Sequence, residues 1–307
     1  MGYRLIETQG KDDLALVHIL EFQGDPRKSV ETVDSIDPRF TREEKTVIIV
    51  STQFGCPVGC LMCEAGGLFY GNLSCQEILD QIRFIIKKRP VILNSQKIKI
   101  HFARMGEPSL NPAVITALEN LSQIIKSPGL MPCISTMLPQ GSESFLLEVG
   151  RVKDSLYPGS SFQLQFSLNS TNQELREHLI PTPHLPLTDV ANLGRAIFHP
   201  GDRKIGLNFA LAKNIPVDVP TLASTFDTDV FMIKLTPVNP TERSKIYNLD
   251  TVLSAADPEA AQELVDQLRA AGFDTIVSIG NPEEIDIGSN CGQLIRAHNT
   301  ALIGATV

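Results

Sequence analysis

Short apolar runs alternate along this chain with longer runs that are apolar on one face only. The run at residues 46–50, TVIIV, is β-branched and apolar on both faces, as a strand buried in a parallel sheet is. Further strand-like runs lie at 97–102, 132–137, 163–168, 205–210, 230–235 and 275–279. Runs with helical spacing lie between them, at 113–125, 143–152, 172–179, 187–197, 217–224 and 258–271. This alternation predicts right-handed βαβ units that share one parallel sheet.

The clearest helix signal follows the first buried run. Ser74 and Glu77 have the spacing of a capping box, and apolar residues then recur at helical spacing from Ile78 onward. The basic residues at 87–89 suit the negative end of a helix, and Pro90 cannot continue it. The sequence therefore predicts a helix that begins after Ser74 and ends before Pro90.

The number of strand–helix units sets the expected architecture. Six or seven units are fewer than the eight of a closed (β/α)8 barrel. We therefore predict an α/β fold in which residues 46–307 form a partial, open (β/α)6 barrel of the TIM type. Residues 1–45 are expected to form a short N-terminal strand and hairpin extension, with a strand at 14–22. Residues 28–45 are polar, charged and weakly periodic, so a loop or surface hairpin is expected there.

The composition is that of a soluble globular protein, with 42% hydrophobic and 20% charged residues among 307. No apolar run reaches the ~18 residues of a membrane span, and the first residues carry no export signal. Clustered cysteines in such a chain suit the reducing cytosol, so we expect a cytoplasmic protein with no membrane partner. The net charge of -8 lowers the expectation of a large nucleic-acid partner, because lysine and arginine bind phosphates.

Three of the six cysteines lie within eight residues, at Cys56, Cys60 and Cys63. Thiolates at this spacing are suited to iron–sulfur clusters or zinc, but a structural zinc site needs four protein ligands. Three cysteines on a four-iron cluster leave one iron open to a small molecule. The C-x3-C-x2-C spacing resembles the signature of the radical S-adenosylmethionine (SAM) superfamily. In that superfamily SAM chelates the open iron, and its one-electron reduction yields methionine and a 5′-deoxyadenosyl radical.

Polar or small residues follow the predicted strands, where open α/β sheets and barrels carry their sites. Gly106 lets a ligand approach the backbone closely, and the Glu107 carboxylate suits an ammonium group. Hydroxyl and amide side chains follow the later strands at Ser135, Ser167, Asn169 and Asn239. Singly, each is also a common cap or turn residue. Together, and after the cysteine triad, they predict a ring of SAM contacts.

A lone cysteine, Cys291, follows the last predicted strand and precedes a glycine. Most lone cysteines are small buried hydrophobic residues. A loop thiol beyond the strand ends is also a candidate covalent nucleophile, provided that its thiolate is stabilised.

Taken together, these stretches resemble the RlmN/Cfr class of radical SAM methylases, which modify C2 or C8 of an adenine in ribosomal RNA. The resemblance covers about residues 14–300. Its motifs are STQFGC at 51–56 with the cysteine triad, GNL at 71–73, MGEP at 105–108 with Asn111, ST at 135–136, SL at 167–168, Arg176, PVNP at 237–240 and CGQL at 291–294.

The resemblance implies a partial barrel with a four-iron four-sulfur cluster on Cys56, Cys60 and Cys63. It also implies that SAM is held by Gly106 with Glu107, and by Ser135, Ser167 and Asn239. By the same carry-over, Cys291 would receive a methyl group from one SAM, and a second SAM would supply the radical that activates this methyl group for addition to an aromatic carbon.

Three positions depart from the class. Its second catalytic cysteine, which forms a product-releasing disulfide, corresponds to Ile49. Asn169 stands where the class has a histidine in its ribose-contact motif. The class also has an N-terminal RNA-binding domain, for which residues 1–13 leave no room. These departures argue against ribosomal RNA as the substrate and against the full mechanism of the class.

We therefore expect a radical SAM methyltransferase that uses Cys291 on a small substrate, such as a nucleotide, a cofactor precursor or a natural product. An electron donor of the flavodoxin or ferredoxin type is the expected protein partner. The alternatives are a radical SAM enzyme that rearranges, oxidises or cyclises its substrate, an RNA adenine methyltransferase, and a non-enzymatic protein that binds SAM, RNA or protein.

Overall fold

The computed structural model describes residues 2–37 and 39–289 of the chain. The strands are, in chain order, β1 Tyr3–Lys11, β2 Ala15–Phe22, β3 Ser29–Ser35, β4 Lys45–Val50, β5 Gln53–Gly55, β6 Phe69–Asn72, β7 Lys97–Phe102, β8 Leu130–Thr136, β9 Gln163–Ser167, β10 Ile205–Leu211, β11 Phe231–Pro237 and β12 Thr275–Val277. The α-helices are α1 Cys75–Lys88, α2 Ala113–Ile124, α3 Glu143–Leu156, α4 Gln173–Leu179, α5 Leu187–Ile197, α6 Val219–Thr225, α7 Glu242–Ile246, α8 Gln262–Ala270 and α9 Pro282–Asp286. Short 3-10 helices lie at Pro26–Lys28, Pro90–Asn94, Pro108–Leu110 and Gly159–Ser161.

The chain forms two compact units. Unit 1 contains residues 2–59, 64–134 and 283–289, apart from residue 38, and unit 2 contains residues 60–63 and 135–282. These boundaries differ from the expected division at residue 45, because strands from the first 45 residues pair with one another and with β4. Between Gly59 and Glu64, four residues belong to unit 2, and they include Cys60 and Cys63 but not Cys56.

Unit 1 is built on a sheet with the strand order β1-β2-β3-β4-β7-β8. The first four strands are antiparallel, whereas β4, β7 and β8 run parallel. Helix α1 packs against β4 and α2. Ile48, Val50, Ile98, Ile100 and Phe102 are fully buried on alternate positions of β4 and β7. This alternation places one face of the parallel strands in the core.

Unit 2 has the parallel strand order β9-β10-β11-β12, with helices α3 to α8 along the chain. Alternate residues of β10 and β11 are buried, namely Leu207, Phe209, Ile233 and Leu235. The alternating positions between them are partly accessible and include the polar residues Asn208 and Lys234. The second face of this sheet therefore carries polar groups.

The predicted parallel strands and their helices are confirmed, with small differences at their ends. Strand β7 and helix α5 have the predicted bounds. The capping box of α1 is present, because Ser74 Oγ accepts from Glu77 N at 3.3 Å and Ser74 N donates to Glu77 Oε2 at 2.8 Å. Helix α1 ends at Lys88, two residues before Pro90. The mixed α/β class is therefore observed, while closure into a partial barrel stays a prediction.

The expectation of a loop or surface hairpin at residues 28–45 is wrong over its first part. Residues Ser29–Ser35 form β3, which is buried at every position and pairs with both β2 and β4. Its charged residues Glu31 and Asp34 made the sequence look solvent-exposed, but both are buried and ion-paired. The β5–β6 hairpin and strand β1 were not predicted.

Within residues 2–37 and 39–289, none of the helices has the length and apolar character that crossing a bilayer requires.

Candidate active site

The cysteine loop begins at the end of β5, in unit 1. Cys56 is buried, its N–H donates to Leu68 O at 2.8 Å, and its carbonyl accepts from Gly67 N at 3.3 Å. Gly55 has φ +82°, and a Cβ there would lie 1.9 Å from Leu68 O. Only glycine fits this close approach of two backbone segments. The first cysteine is therefore held by backbone pairing before the loop opens.

The Gly106–Glu107 loop also belongs to unit 1 and is built against β5. Gly106 has φ +95°, and a Cβ there would lie 2.6 Å from Gln53 Cβ and 2.8 Å from Gln53 N. The Gln53 side chain accepts a hydrogen bond from Glu107 N at 2.8 Å. Glycine at 106 is thus required by both conformation and space, which agrees with the predicted close approach at this loop.

Two further amides connect the same loop to its neighbours. Asn72 accepts from Gln53 Nε2 at 2.8 Å and donates to Leu110 O at 3.0 Å. Asn111 is almost fully buried and donates to Thr52 O at 2.7 Å and to Leu73 O at 2.8 Å. Gln53 and Asn72 were missed by sequence reasoning, and the signal that identifies them is the presence of amide residues beside an apolar strand.

Glu107 is 5% exposed, and its side chain caps the short 3-10 helix Pro108–Leu110. Its Oε1 accepts from Ser109 N at 3.1 Å and from Ser109 Oγ at 2.8 Å. The structure therefore shows the cap, which was the simpler interpretation of this residue. A carboxylate that is hydrogen-bonded and oriented in this way is also suited to receiving an ammonium group.

Cys60 and Cys63 belong to unit 2, where residues 60–63 form a tight turn with Cys63 N donating to Cys60 O at 3.1 Å. Leu61 N donates to Leu179 O at the end of α4, at 3.0 Å. Met62 O accepts from Thr241 Oγ1 at 3.2 Å. Thr241 is fully buried and caps α7 by accepting from Ser244 N at 2.9 Å. These contacts bring the PVNP segment that contains Asn239 close to the two cysteines.

Helix α4 contains Arg176, one of the residues that match the RlmN/Cfr class. Its guanidinium is fully buried and donates through Nη1 to Gln173 Oε1 at 3.1 Å and to Leu185 O at 3.2 Å. Nε and Nη2 have no hydrogen-bond partner among the described residues. Burial in this environment lowers the pKa of Arg176 to about 10. Arg176 therefore ties α4 to the segment at Leu185 and remains charged at neutral pH.

The four strand-end residues of unit 2 differ in their contacts. Ser135 and Ser167 are half-buried at the ends of β8 and β9, and no hydrogen bond from the Ser167 hydroxyl is seen within the described residues. Asn169 has φ +64°, a conformation that asparagine tolerates, and its Oδ1 accepts from Ala210 N at 3.3 Å. The backbone carbonyl of Asn239 accepts from Thr241 N at 2.8 Å and from Ser244 Oγ at 2.9 Å.

Two polar residues that the sequence analysis did not select lie beside Ser167. In the strand register Ser167 pairs with Asn208, and Asn208 pairs with Lys234, so the three residues form one row across β9, β10 and β11. Lys234 Nζ approaches Gln165 Oε1 at 3.4 Å, and the buried Asn208 Oδ1 has no hydrogen-bond partner in the described part of the chain. Polar residues on alternate positions of a buried strand are the sequence signal for such a row.

The cysteine triad fits an iron–sulfur cluster by the chemistry of its donors. None of the five described cysteines forms a disulfide, so the thiols are reduced. Within the described residues, no three histidine, cysteine or acidic side chains are grouped so that they would hold a single metal ion. A four-iron cluster makes a different demand, because each thiolate binds its own iron atom. Cys75, in contrast, begins α1, and burial raises the pKa of its thiol.

The predicted nucleophile Cys291 lies outside the described residues. The position that corresponds to the second cysteine of the RlmN/Cfr class, Ile49, is part of β4 and packs against a buried apolar cluster. That cluster consists of Leu14, Ala15, Val17, Val33 and Ile287. An apolar contact therefore takes the place of a thiol at this position.

Comparisons with known proteins bear on the class to which this chain is similar. No protein-family profile matches the chain. It is 27% identical over 277 residues to the "Probable dual-specificity RNA methyltransferase RlmN" of Thermosynechococcus vestitus, with 87% of this chain and 74% of that protein covered. It is 28% identical to the protein of the same name from Parasynechococcus marenigrum, again with 87% and 74% covered.

Among solved structures, a radical SAM methyltransferase from Sphaerobacter thermophilus superposes with a TM-score of 0.73 at 21% identity, over 95% of this chain and 81% of that chain. This likeness shows that the two chains share a fold. The comparisons confirm the predicted resemblance to the RlmN/Cfr class, and they agree with the predicted enzyme class and with the predicted cluster and SAM cofactors.

Proposed function

We propose that this chain, which resembles the RlmN/Cfr class over most of its length, is a radical SAM methyltransferase that acts through Cys291. Cys56, Cys60 and Cys63 would hold a four-iron four-sulfur cluster, and SAM would bind beside it. When bound, the cluster and SAM supply one-electron chemistry that cleaves SAM to methionine and a 5′-deoxyadenosyl radical.

The observation that carries the proposal is the anchoring of residues 60–63. Leu61 N bonds to Leu179 O at 3.0 Å and Met62 O to Thr241 Oγ1 at 3.2 Å, so the cysteine turn is held by α4 and by the segment that follows β11. A loop in a structural metal site would not need a polar segment at the end of a distant strand. Leu179 follows Arg176 in α4 and Thr241 follows the PVNP stretch, so two segments next to residues that match the class are bonded to the backbone between Cys60 and Cys63.

The strand-end residues selected in the sequence would divide the binding of SAM between them. Gly106 leaves the backbone open to a ligand, and the neighbouring Glu107 carboxylate would receive the SAM amino group. The hydroxyl of Ser135 would bind the SAM carboxylate. Ser167 and the Nδ2 group of Asn169 would meet the ribose hydroxyls, and Asn239 would contact the nucleoside from the end of β11. Each of these groups offers the hydrogen-bond type that its predicted partner requires.

Cys291 would then act as the methyl acceptor. Its thiolate would take the methyl group of one SAM, releasing S-adenosylhomocysteine, before this group is passed to an aromatic carbon of the substrate. Two observations bear on that substrate. The relatives are named RNA methyltransferases, which favours an adenine in RNA. The net charge of -8 favours a smaller substrate, such as a free nucleotide, as the sequence analysis expected.

The test is mass analysis of anaerobically purified, cluster-loaded protein after incubation with SAM. We expect one added methyl group on the peptide that contains Cys291, and none after Cys291→Ala. Reductant should then give both 5′-deoxyadenosine and methylated product, with RNA fragments and free nucleotides offered in separate reactions. If Cys291 stays unmodified in protein with its cluster intact, methyl transfer through Cys291 is wrong.

A second candidate is favoured by one observation, the apolar packing of Ile49. Without a thiol at this position, a covalent adduct on Cys291 has no resolving disulfide there. A radical SAM enzyme that only abstracts hydrogen, and so rearranges, oxidises or cyclises its substrate, has no need of one. Release of 5′-deoxyadenosine without S-adenosylhomocysteine is the result expected for this candidate.

A further inference from the structure

The segment at residues 283–289, which ends two positions before Cys291, is docked on unit 1. Ile287 is 9% exposed and belongs to the apolar cluster with Val17 and Val33, against which Ile49 also packs. Glu283 forms an exposed ion pair with Lys11 of β1. The segment is therefore held to the N-terminal strands by an apolar and an ionic contact.

A third contact comes from Arg104, which follows β7 and precedes the Gly106–Glu107 loop by two residues. Its Nη2 donates to Gly288 O at 2.6 Å, and its Nη1 donates to Ser289 O. The Arg104 side chain is only 3% exposed, so both bonds form away from water. Charged donors make the stronger hydrogen bonds in proteins, and more so when they are buried.

The direction of the Arg104 side chain is fixed by Glu31 on β3. Arg104 Nε lies 2.7 Å from Glu31 Oε2, and Nη2 lies 2.5 Å from the same oxygen. Glu31 is fully buried, its backbone carbonyl accepts from Ser51 Oγ at 2.6 Å, and its N–H points to Met105 Sδ at 3.3 Å. The planar guanidinium thus has its carboxylate partner on one edge and the two carbonyls on the other.

A buried ion pair adds little stability over a well-packed apolar pair, so stability alone does not explain this arrangement. The guanidinium provides direction instead, because it holds two consecutive carbonyl groups at defined positions. Those carbonyls belong to the last described residues before Cys291. The same arginine begins the loop that continues to Gly106 and Glu107, the predicted SAM contacts.

We propose that Arg104, oriented by Glu31, is a positioning residue that sets where the Cys291-bearing segment begins relative to the Gly106–Glu107 loop. The inference rests on the proposed function, in which Cys291 is the methyl acceptor. Ile49 packs against the apolar cluster that contains Ile287, so this position contributes an apolar contact rather than a thiol. Arg104 acts through its hydrogen bonds to the backbone carbonyls of Gly288 and Ser289, and not by direct contact with substrate or cofactor.

The first test compares Arg104→Gln with a matched control, Arg42→Gln. Arg42 also forms an ion pair in unit 1, with the buried Asp34 at 2.6 Å, which Arg89 shares, and none of its described contacts involves residues 283–289. Amide hydrogen exchange is measured at Gly288 and Ser289, whose N–H groups bond to Ile285 O and Glu284 O. Cys291 methylation is measured in cluster-loaded full-length protein.

We expect Arg104→Gln to raise exchange at these amides at least about tenfold and to slow Cys291 methylation by about the same factor, because two charge-assisted bonds are lost. Arg42→Gln should change neither quantity, although it also removes one arginine from a buried carboxylate, which keeps its bond to Arg89. Equal effects of both variants on exchange and on methylation would show that Arg104 has only a structural role.

A double variant separates positioning from stability. Arg104→Met with Glu31→Leu removes both buried charges, which restores packing but not the bonds to the carbonyls. We expect near wild-type resistance to denaturant together with exchange at 288–289 that stays fast. Slow exchange in this variant would overturn the proposal. If wild-type Cys291 is never methylated, the proposed function fails, while the exchange measurements still decide whether Arg104 holds the segment.

Discussion

The two parts of the cysteine loop are supported in different ways. In unit 1, the surroundings of Cys56 are fixed by side-chain amides, because Gln53, Asn72 and Asn111 tie β5 to the Gly106–Glu107 loop. In unit 2, the backbone of the turn with Cys60 and Cys63 is bonded to the Leu179 carbonyl through Leu61 N and to the Thr241 hydroxyl through Met62 O.

This difference indicates a division of roles. In unit 1, several contacts fix the conformation of Gly106 and the orientation of the Glu107 carboxylate. Unit 2 offers strand ends such as Ser167 and Asn169 that retain hydrogen-bonding capacity for a ligand. We expect substitutions in the two parts of the cysteine loop to differ in their effects on iron and SAM binding.

The largest effect is expected from the cysteines themselves, where the two parts should not differ. Cys56→Ala and Cys60→Ala each remove one of the three proposed iron ligands, so each variant should lose its brown colour, nearly all of its iron and SAM cleavage. Iron content and absorbance of anaerobically reconstituted protein measure this. Cys75→Ala is the control, because Cys75 is a half-buried thiol at the start of α1 and should keep its iron.

A Cys60→Ala variant that kept a full complement of iron while Cys56→Ala lost it would break the comparison. The cluster would then depend on unit 1 alone, and the turn at residues 60–63 would have a structural role.

The next largest effect is expected from Gly106→Ala in unit 1. The new Cβ would meet Gln53 Cβ at 2.6 Å and Gln53 N at 2.8 Å, in a backbone conformation with φ +95°. Strain and overpacking together should lower the free energy of unfolding by about 3 to 5 kcal/mol and weaken SAM binding at least about tenfold. Denaturant unfolding and SAM titration of the reconstituted protein measure the two quantities.

Gly24→Ala is the matched control for the backbone strain in the same unit. Gly24 has φ +68° with nothing within 4 Å of the position of a Cβ, so only the conformational term applies, about 1 kcal/mol. Its SAM affinity should equal that of the wild type. Similar losses in both glycine variants would show that the contact between Gly106 and Gln53 is not tight in solution.

The sequence predicted the helices and strands that are buried through apolar side chains. The strand at Lys97–Phe102 and the capping box at Ser74 have local signals, because alternation and cap spacing are properties of neighbouring residues. It failed at β3, where Glu31 and Asp34 are neutralised by arginines. Glu31 is paired with Arg104, 73 residues away, and Asp34 with both Arg42 and Arg89, 8 and 55 residues away, so no local pattern reports the whole pairing.

The same limit applies to the site. The triad and the strand-end residues were selected because their chemistry is visible in a short motif. The amide of Gln53 and the hydroxyl of Thr241 were not selected. Glutamine and threonine have many structural roles, and only their hydrogen-bond partners show which role each residue has. Asn208 and Lys234 were hidden for a related reason, since their row with Ser167 exists only across three paired strands.

A smaller effect is expected from acid, and it concerns unit 1. Burial, with Lys88 and Arg89 nearby and partly opposed by Asp34, lowers the pKa of His18 to about 4. The unfolded chain therefore binds a proton below about pH 6.5 that the folded chain does not, and stability falls with pH between about 6.5 and 4. Between pH 7 and pH 5 the expected loss is about 2 kcal/mol.

The measurement is denaturant unfolding of wild type and His18→Gln at several pH values. The His18 ring accepts or donates at Thr8 Oγ1, 2.9 Å away, and packs edge-on against Phe84, so glutamine keeps a polar contact but cannot titrate. The variant should lose less stability than the wild type on going to pH 5. Parallel curves would mean that His18 titrates normally in the folded chain and that acid does not act on unit 1 through this residue.

The smallest effect is expected from Thr241→Val in unit 2, and it tests the comparison most directly. The variant loses the hydrogen bond to Met62 O and the cap to Ser244 N, each worth about 1 kcal/mol, while the volume at this fully buried position hardly changes. Thr241→Ser keeps both bonds and is the control. Because this hydroxyl bonds the turn at residues 60–63 to the segment after β11, a chelator should remove iron several-fold faster from the valine variant than from the serine variant. Equal rates of iron loss would mean that the Thr241 hydroxyl does not help to hold the turn, and that the support of Cys60 and Cys63 comes from other contacts in unit 2.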